Sequence, residues 1–307
     1  MKNIKLLDCT LRDGGRVIDC QFSYLQTESI VNSLVRSGVE FIELGFLDET
    51  KSDNASFSTY FDDIFKVQPF LKNGVNYSLF INFGRFDFFK LPAWKETLPK
   101  FIRVGFTIED FIQSIEELKK SIEFVKNQGY EVFLQPLNTP AYDKESYLKL
   151  LDFANELAPY SFAIVDTFGS MFQEKLEKYF LLANENLSPL INIDFHSHNN
   201  LQLSFSNAIW LTKQDLGQRE LILDATLLGL GRGGGNLNLE LVGQYTNGYC
   251  GKNYNIVELV KLIDKEILPI KKQSDWGYSL PAFLGGVYNL HPNKTQKFYE
   301  EFIDGKS

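Results

Sequence analysis

Short apolar runs recur along the chain, most of them ending in a polar or charged residue. Eight read as strands: residues 4–8 (IKLLD), 40–46 (EFIELGF), 77–82 (YSLFIN), 101–106 (FIRVGF), 131–136 (EVFLQP), 162–166 (FAIVD), 191–196 (INIDFH) and 221–226 (LILDAT). Their apolar character is nearly continuous instead of alternating, which predicts burial on both faces, as in a parallel sheet covered by helices. Between them the apolar spacing changes to three and four. Residues 25–37 carry Leu25, Ile30, Val31, Leu34 and Val35, and residues 109–128 carry Ile112, Ile115, Leu118, Ile122 and Val125, each an expected helical stripe. Acids open the second segment and lysines close it, which suits the helix dipole, and Glu109 and Asp110 read as helix-start acids. A helix over 143–157 is expected to start from Asp143 as N-cap. Segments 173–184 and 200–213 complete the clearest set, and Gly38, Gly74 and Gly129 stand where helices should end.

Eight strands alternating with helices predict an α/β fold, a TIM (β/α)8 barrel with a short C-terminal helical extension. The 307 residues suffice for it. A doubly wound open sheet is the alternative. The strand count and the polar residues gathered at strand C-terminal ends favour the barrel, because there those ends converge on one mouth. No linker-like tract divides the chain. Residues 1–254 are expected to form the barrel, and residues 255–307 an extension broken into short helices by Pro269, Pro281 and Pro292.

Composition narrows the function classes. The net charge is −8 and no Lys/Arg block stands out, which argues against a nucleic-acid partner. No stretch reaches about 18 uninterrupted apolar residues, so no membrane span is expected. The N-terminus runs straight into a strand without the apolar core of a signal peptide. Three cysteines, Cys9, Cys20 and Cys250, form no CxxC pair, which fits a reducing cytoplasm better than a disulfide framework or a structural zinc site.

Candidate chemistry sits at two strand ends. Two of the chain's three histidines, His196 and His198, close one apolar run. On a strand, residues i and i+2 point to the same side, so these two imidazoles can face one ion. Asp13 and Arg12 follow the first strand, with Gly14 and Gly15 permitting a tight turn. Two imidazoles and a carboxylate leave coordination positions open for water or substrate. The expected cofactor is a divalent metal, Mn2+ or Mg2+, with Zn2+, Co2+ or Fe2+ compatible with the same donors. Arg12 then serves as a cationic partner for an enolate. Glu43, Gln135, Asn138 and Thr167 are expected to point into the mouth and contact substrate, with Asp8 and Asp166 similarly placed. The glycine-rich residues 229–236 lack the Lys-Ser/Thr ending of a P-loop. They read as a flexible loop or a phosphate-cradling turn, in which Asn236 either caps the last helix or offers a further oxygen ligand. His291, a lone His before Pro292, reads first as structural.

The segment Asp8-x-Thr10-Leu11-Arg12-Asp13-Gly14 resembles the first-strand signature of the DRE-TIM metallolyases. That superfamily includes hydroxymethylglutaryl-CoA lyase, isopropylmalate and homocitrate synthases, and 4-hydroxy-2-oxovalerate aldolase. His196-x-His198-Asn199, Val165-Asp166-Thr167-x-Gly169 and the loop ending in Gly235-Asn236 resemble three further signatures, in the right order over residues 4–240. The resemblance implies that Asp13, His196 and His198 hold the metal, that Asn236 adds a ligand, and that Arg12 stabilises an enolate oxygen. The implied chemistry makes or breaks a carbon–carbon bond next to the carbonyl of a small 2-oxo acid. Claisen condensation with an acyl-CoA is the alternative, and a non-catalytic barrel serving as an interaction subunit is a third. Where the aldolases place a His used in proton transfer, and the lyases and synthases a Gln, this chain has Arg16. A second Arg in the mouth points to an extra anionic group on the substrate. Gly286-Val287-Tyr288 resembles the aldolase tail, so Tyr288 or His291 is expected to reach over the mouth for proton transfer. A cytoplasmic homodimer is expected by analogy with barrels of this type.

Overall fold

The computed structural model describes residues 3–51 and 58–305. Nine strands form one parallel sheet: β1 (Ile4–Asp8), β2 (Phe41–Leu47), β3 (Tyr60–Phe61), β4 (Asn76–Asn82), β5 (Phe101–Phe106), β6 (Glu131–Pro136), β7 (Ser161–Asp166), β8 (Asn192–Ser197) and β9 (Leu221–Ala225). Their order is β1-β9-β8-β7-β6-β5-β4-β2, and β1 pairs again with β2, Leu7 beside Phe41 and Asp8 beside Ile42. That closes an eight-stranded TIM barrel. The two-residue β3 adds only to the C-terminal end of β2.

The strand alternation stacks the barrel interior in layers. Leu7, Phe41, Phe101, Phe133 and Ile222 form an apolar floor of their own, with Phe41 and Phe101 ring centroids 5.2 Å apart. Two residues further along the same strands stand Glu43, Arg103, Gln135 and Asp224, and Asp194 on β8 joins them. A charged layer thus lies on an aromatic one, below the mouth. The larger core lies outside, between strands and helices.

Helices α1 (Tyr24–Ser37), α2 (Ile108–Gln113), α3 (Ile115–Asn127), α4 (Lys144–Leu157), α5 (Gln173–Asn186), α6 (Ser204–Thr212) and α7 (Leu239–Tyr249) surround the barrel. Asp143 caps α4, accepting from the Ser146 N–H at 2.8 Å. The segment expected as one helix over 109–128 is two. Ser114 takes φ −132°, ψ 27° and ends α2, and Ile112 faces solvent outside the expected stripe. Asp110 is indeed a helix-start acid, in a capping box with Thr107. Gly74 ends no α-helix: the preceding segment is a 3-10 helix, Ile64–Phe70, capped at Leu71, and Gly74 lies in the turn before β4. Helix α6 starts at Ser204 instead of residue 200, because Asn199 to Leu203 are spent on the turn after the histidines.

Beyond α7 come α8 (Ile256–Leu262), a π-helical turn into α9 (Leu268–Lys271), then α10 (Leu280–Val287) and α11 (Pro292–Ile303). Pro281 and Pro292 occupy first-turn positions, where a missing N–H costs nothing. This extension crosses to the mouth. Asn200 on the β8 side donates to Ala282 O at 3.0 Å, and Ser170 donates to Asn289 Oδ1 at 3.1 Å. Among the described residues no helix is long and apolar enough to cross a membrane.

Candidate active site

The turn after β1 is built by its own side chains. Asp8 is fully buried and accepts from Thr10 N and Thr10 Oγ1, and Thr10 Oγ1 accepts in turn from Leu227 N. Asp8 therefore anchors the loop instead of facing the mouth. That anchoring presents Arg12 and Asp13 at the top of the barrel. The Arg12 guanidinium lies 4.5 Å over the Phe80 ring and is clamped by Glu43 Oε2 (2.5 Å from Nε) and Asp13 Oδ1 (2.8 Å from Nη1). Its Nη2 makes no hydrogen bond within the described residues, and Arg12 lines the cavity.

His196 ends the inward row of β8. His198 lies one residue past the strand, and its backbone bridges to Asn236 in the loop after the neighbouring β9. Asp13, His196 and His198 offer ligand atoms all within 4.8 Å of one another. Asp13 Oδ2 stands 3.3 Å from His198 Nε2 and 4.0 Å from His196 Nε2, and accepts from Asn236 Nδ2 at 2.9 Å. His196 Nδ1 pairs with Asp224 Oδ2 at 2.9 Å, which turns its Nε2 toward Asp13, as the outer partner of a metal-binding imidazole does. Burial pushes both imidazoles down to about 4, so both are neutral at pH 7 with a lone pair to give. Burial works against the Asp13 charge, but Arg12 above all outweighs it and holds the carboxyl well below its ordinary value.

Two features show that these residues fit a divalent cation. Asn236 Oδ1 is buried with no partner, beside the other donors. In addition, the buried guanidiniums of Arg12 and Arg103 face four carboxylates, those of Asp13, Glu43, Asp194 and Asp224. The excess negative charge is felt below the mouth: burial and then Asp224 raise Asp194 to about 7, and burial raises Asp224 as well. A divalent ion at Asp13 would offset that excess. Cys9, His196 and Asp224 form a second close group. Burial keeps the Cys9 thiol protonated and it donates to Ala225 O, so it is not offered as a thiolate ligand.

The site opens into a cavity of about 630 Å³. Gln135, Asn138, Thr167, Arg16 and His291 line it. Gln135 commits its amide nitrogen downward to Asp194 (2.5 Å), and Thr167 Oγ1 accepts from Asn138 N (2.7 Å). Asn138 Oδ1 is buried and unpartnered. Asp166 is turned away, accepting from Ser170 N and Met171 N to hold the loop after β7. Glu43 lies below Arg12, fully buried, and does not reach the cavity. Tyr288 is half exposed and packs on Phe298 and Phe302, away from the cavity lining. Asn236 caps no helix: α7 starts from Asn238. Arg103, Asp194, Asp224 and Arg232 were not singled out from the sequence. For the first three the signal was a single charge inside an apolar strand.

Residues 99–262 match the HMGL-like family. The chain belongs to that family. Its relatives include a homocitrate synthase from Pyrococcus horikoshii, 24% identical over 96% of this chain and 81% of that protein. A 4-hydroxy-2-oxovalerate aldolase from Pectobacterium atrosepticum is 23% identical over 98% of this chain and 87% of its own length. Among solved structures, the N-terminal domain of a Bacteroides vulgatus protein with a provisional aldolase name superposes with TM-score 0.82 at 22% identity, covering 98% of this chain and 99% of that one. The HMGL-like membership agrees with the DRE-TIM signatures read along residues 4–240.

Proposed function

We propose that this protein makes or breaks a carbon–carbon bond next to the carbonyl of a 2-oxo acid, through an enolate, with a divalent metal held by Asp13, His196, His198 and Asn236. The observation that carries the reading is the juxtaposition of a clamped Arg12, with a free Nη2, and two neutral imidazoles around one carboxylate. When bound, the ion would supply Lewis acidity to a substrate carbonyl. Arg12 presents a fixed N–H where enolate charge develops, and needs no reorganisation because Glu43, Asp13 and Phe80 already hold it. His196 is held in one tautomer by Asp224, and Asp224 by Arg103. The aromatic floor shuts water out from beneath. The synthase and aldolase names of its relatives support carbon–carbon chemistry of this kind.

The test is exchange of pyruvate methyl protons with deuterium, followed by NMR with Mn2+ and without metal. Exchange above the metal-free control that Asp13→Asn abolishes supports the reading. Release of free CoA from acetyl-CoA and a 2-oxo acid, without pyruvate exchange, would replace it by the condensing alternative.

A further inference from the structure

The cavity contains a second group of hydrogen-bond donors, two of them cationic, apart from the proposed metal ligands. Arg232 stands in the glycine-rich loop after β9, Arg16 in the turn after β1, and His291 at the start of α11. All three line the same cavity. Arg232 makes no ion pair among the described residues. Its Nε is buried with no hydrogen-bond partner, and its Nη1 reaches only Asn293 Oδ1 at 3.4 Å. Arg16 lies 4.7 Å over the Phe46 ring, and among the described residues its one carboxylate contact is 3.5 Å to Asp13 Oδ1, an oxygen that Arg12 already holds at 2.8 Å. The two guanidiniums bear on each other: burial and then Arg16 lower the Arg232 pKa, and Asp13 is the carboxylate that acts on it most.

The other acids along this cavity are largely committed, Asp48 to Thr50 and Asp110 to Thr107, while Glu109 stands on α2. His291 adds a donor. Its Nδ1 accepts from Asn293 N as the cap of α11, which in the neutral ring leaves the proton on Nε2. A partly buried, unpaired guanidinium beside another is costly unless an anion comes between them.

The loop is held for this task. Asn200 Oδ1 accepts from Gly234 N at 3.0 Å and Gly277 N donates to Gly233 O, so Arg232 projects from a pinned backbone. Arg232 and Arg16 are the residues here best suited to grip a planar carboxylate or a phosphate, because a guanidinium donates two parallel N–H bonds.

We propose that Arg16, Arg232 and His291 form a second oxyanion subsite, which takes a carboxylate or phosphate on the substrate while its 2-oxo acid end lies at Asp13, His196 and His198. The position of that second end rests on the enolate reading above; the anion subsite itself does not. The substrate class is then a 2-oxo acid, or its aldol adduct, carrying a remote anionic group. His291 acts there as a hydrogen-bond donor and not as a base, since its only lone pair is spent on the helix cap.

Isothermal titration tests this in two arms. Metal-free protein is titrated with inorganic phosphate and with acetate, to tell a phosphate site from a carboxylate site. At least one is expected to bind, with affinity falling about tenfold or more in Arg232→Gln. Mn2+-loaded protein is titrated with 2-oxoglutarate and with 2-oxopentanoate, which differ in the remote carboxylate. A preference of about tenfold for an anionic tail, or for phosphate in the first arm, is expected, and Arg16→Gln and Arg232→Gln should each bring the paired affinities to within about threefold. Circular dichroism checks that each variant is folded, and either variant alone suffices. Arg232-dependent phosphate or acetate binding without binding of either 2-oxo acid would support the subsite and overturn the enolate reading. Equal affinities for the two 2-oxo acids, with no anion binding sensitive to Arg232→Gln, would overturn the subsite.

Discussion

Replacing Arg103 by Met should damage this protein more than any other single change beneath its mouth. Arg103 is 0% exposed and lies at the centre of the barrel. It donates to Glu43 Oε2 at 3.3 Å, to Asp194 Oδ2 at 2.9 Å and to Asp224 Oδ2. Methionine fills much of the same volume but leaves these carboxylates facing one another. Removing one partner of a buried ion pair costs roughly 3–5 kcal/mol, a large share of the ~5–15 kcal/mol of a typical domain. At about 2–4 °C per kcal/mol the melting temperature should fall by roughly 6–20 °C.

The pH dependence has a definite sign. Asp194 already sits at about 7 in the folded protein, against 3.8 as its ordinary value. Between those values the folded state holds a proton that the unfolded chain has released. Stability from this group is complete below about pH 4 and is lost as pH rises through 7. Without Arg103 the carboxylates rise further, so the deficit of the variant should be larger at pH 7.5 than at pH 5. Thermal unfolding followed by circular dichroism at both values measures it. A loss under about 2 °C at pH 7.5, or a deficit that grows toward pH 5, would refute the ion-network argument.

Three further changes probe the upper site. Arg12→Lys keeps a charge but cannot bridge Asp13 and Glu43; pyruvate exchange should fall about 100-fold or more while Mn2+ affinity, by calorimetry, changes little. An equal loss of both would make Arg12 a structural group. Asp224→Asn loosens the tautomer of His196, so Mn2+ affinity should drop about 10–100-fold, and unchanged affinity would remove Asp224 from the account. Gly234→Ala would put a Cβ 2.5 Å from Asn200 Cα; it should cost about 1–3 kcal/mol and weaken metal binding through Asn236, which a wild-type urea midpoint would contradict.

The barrel was legible because its strands are buried on both faces and so read as unbroken apolar runs. The clustering of the proposed metal ligands was legible because strand geometry fixes which residues share a side, even though His198 lies just past β8. Arg103, Asp194 and Asp224 were hidden by the same logic, since one charge does not disturb an apolar run. Their partners lie up to 121 residues apart in the chain, and only barrel closure brings them together. Glu43 shows the limit from the other side: an acid in an apolar run suggested substrate contact at the mouth, but Glu43 lies inside β2 and Arg12 covers it. The split of the 109–128 segment turns on Ser114, whose φ −132°, ψ 27° ends α2 and precedes α3, a local backbone departure that the apolar spacing of the segment does not register. The path of the extension across the mouth depends on Asn200 and Ala282 meeting, which no periodicity encodes.

The central claim is that one divalent ion binds between Asp13, His196 and His198 with the substrate beside Arg12. A crystal soaked with Mn2+ and oxalate, measured at the manganese edge, tests it directly. The account predicts a single anomalous peak within bonding distance of an Asp13 oxygen and both Nε2 atoms, with oxalate on the ion and an oxygen facing the Arg12 guanidinium. A peak on Cys9 and Asp224, or no ordered ion at saturating Mn2+, would contradict it.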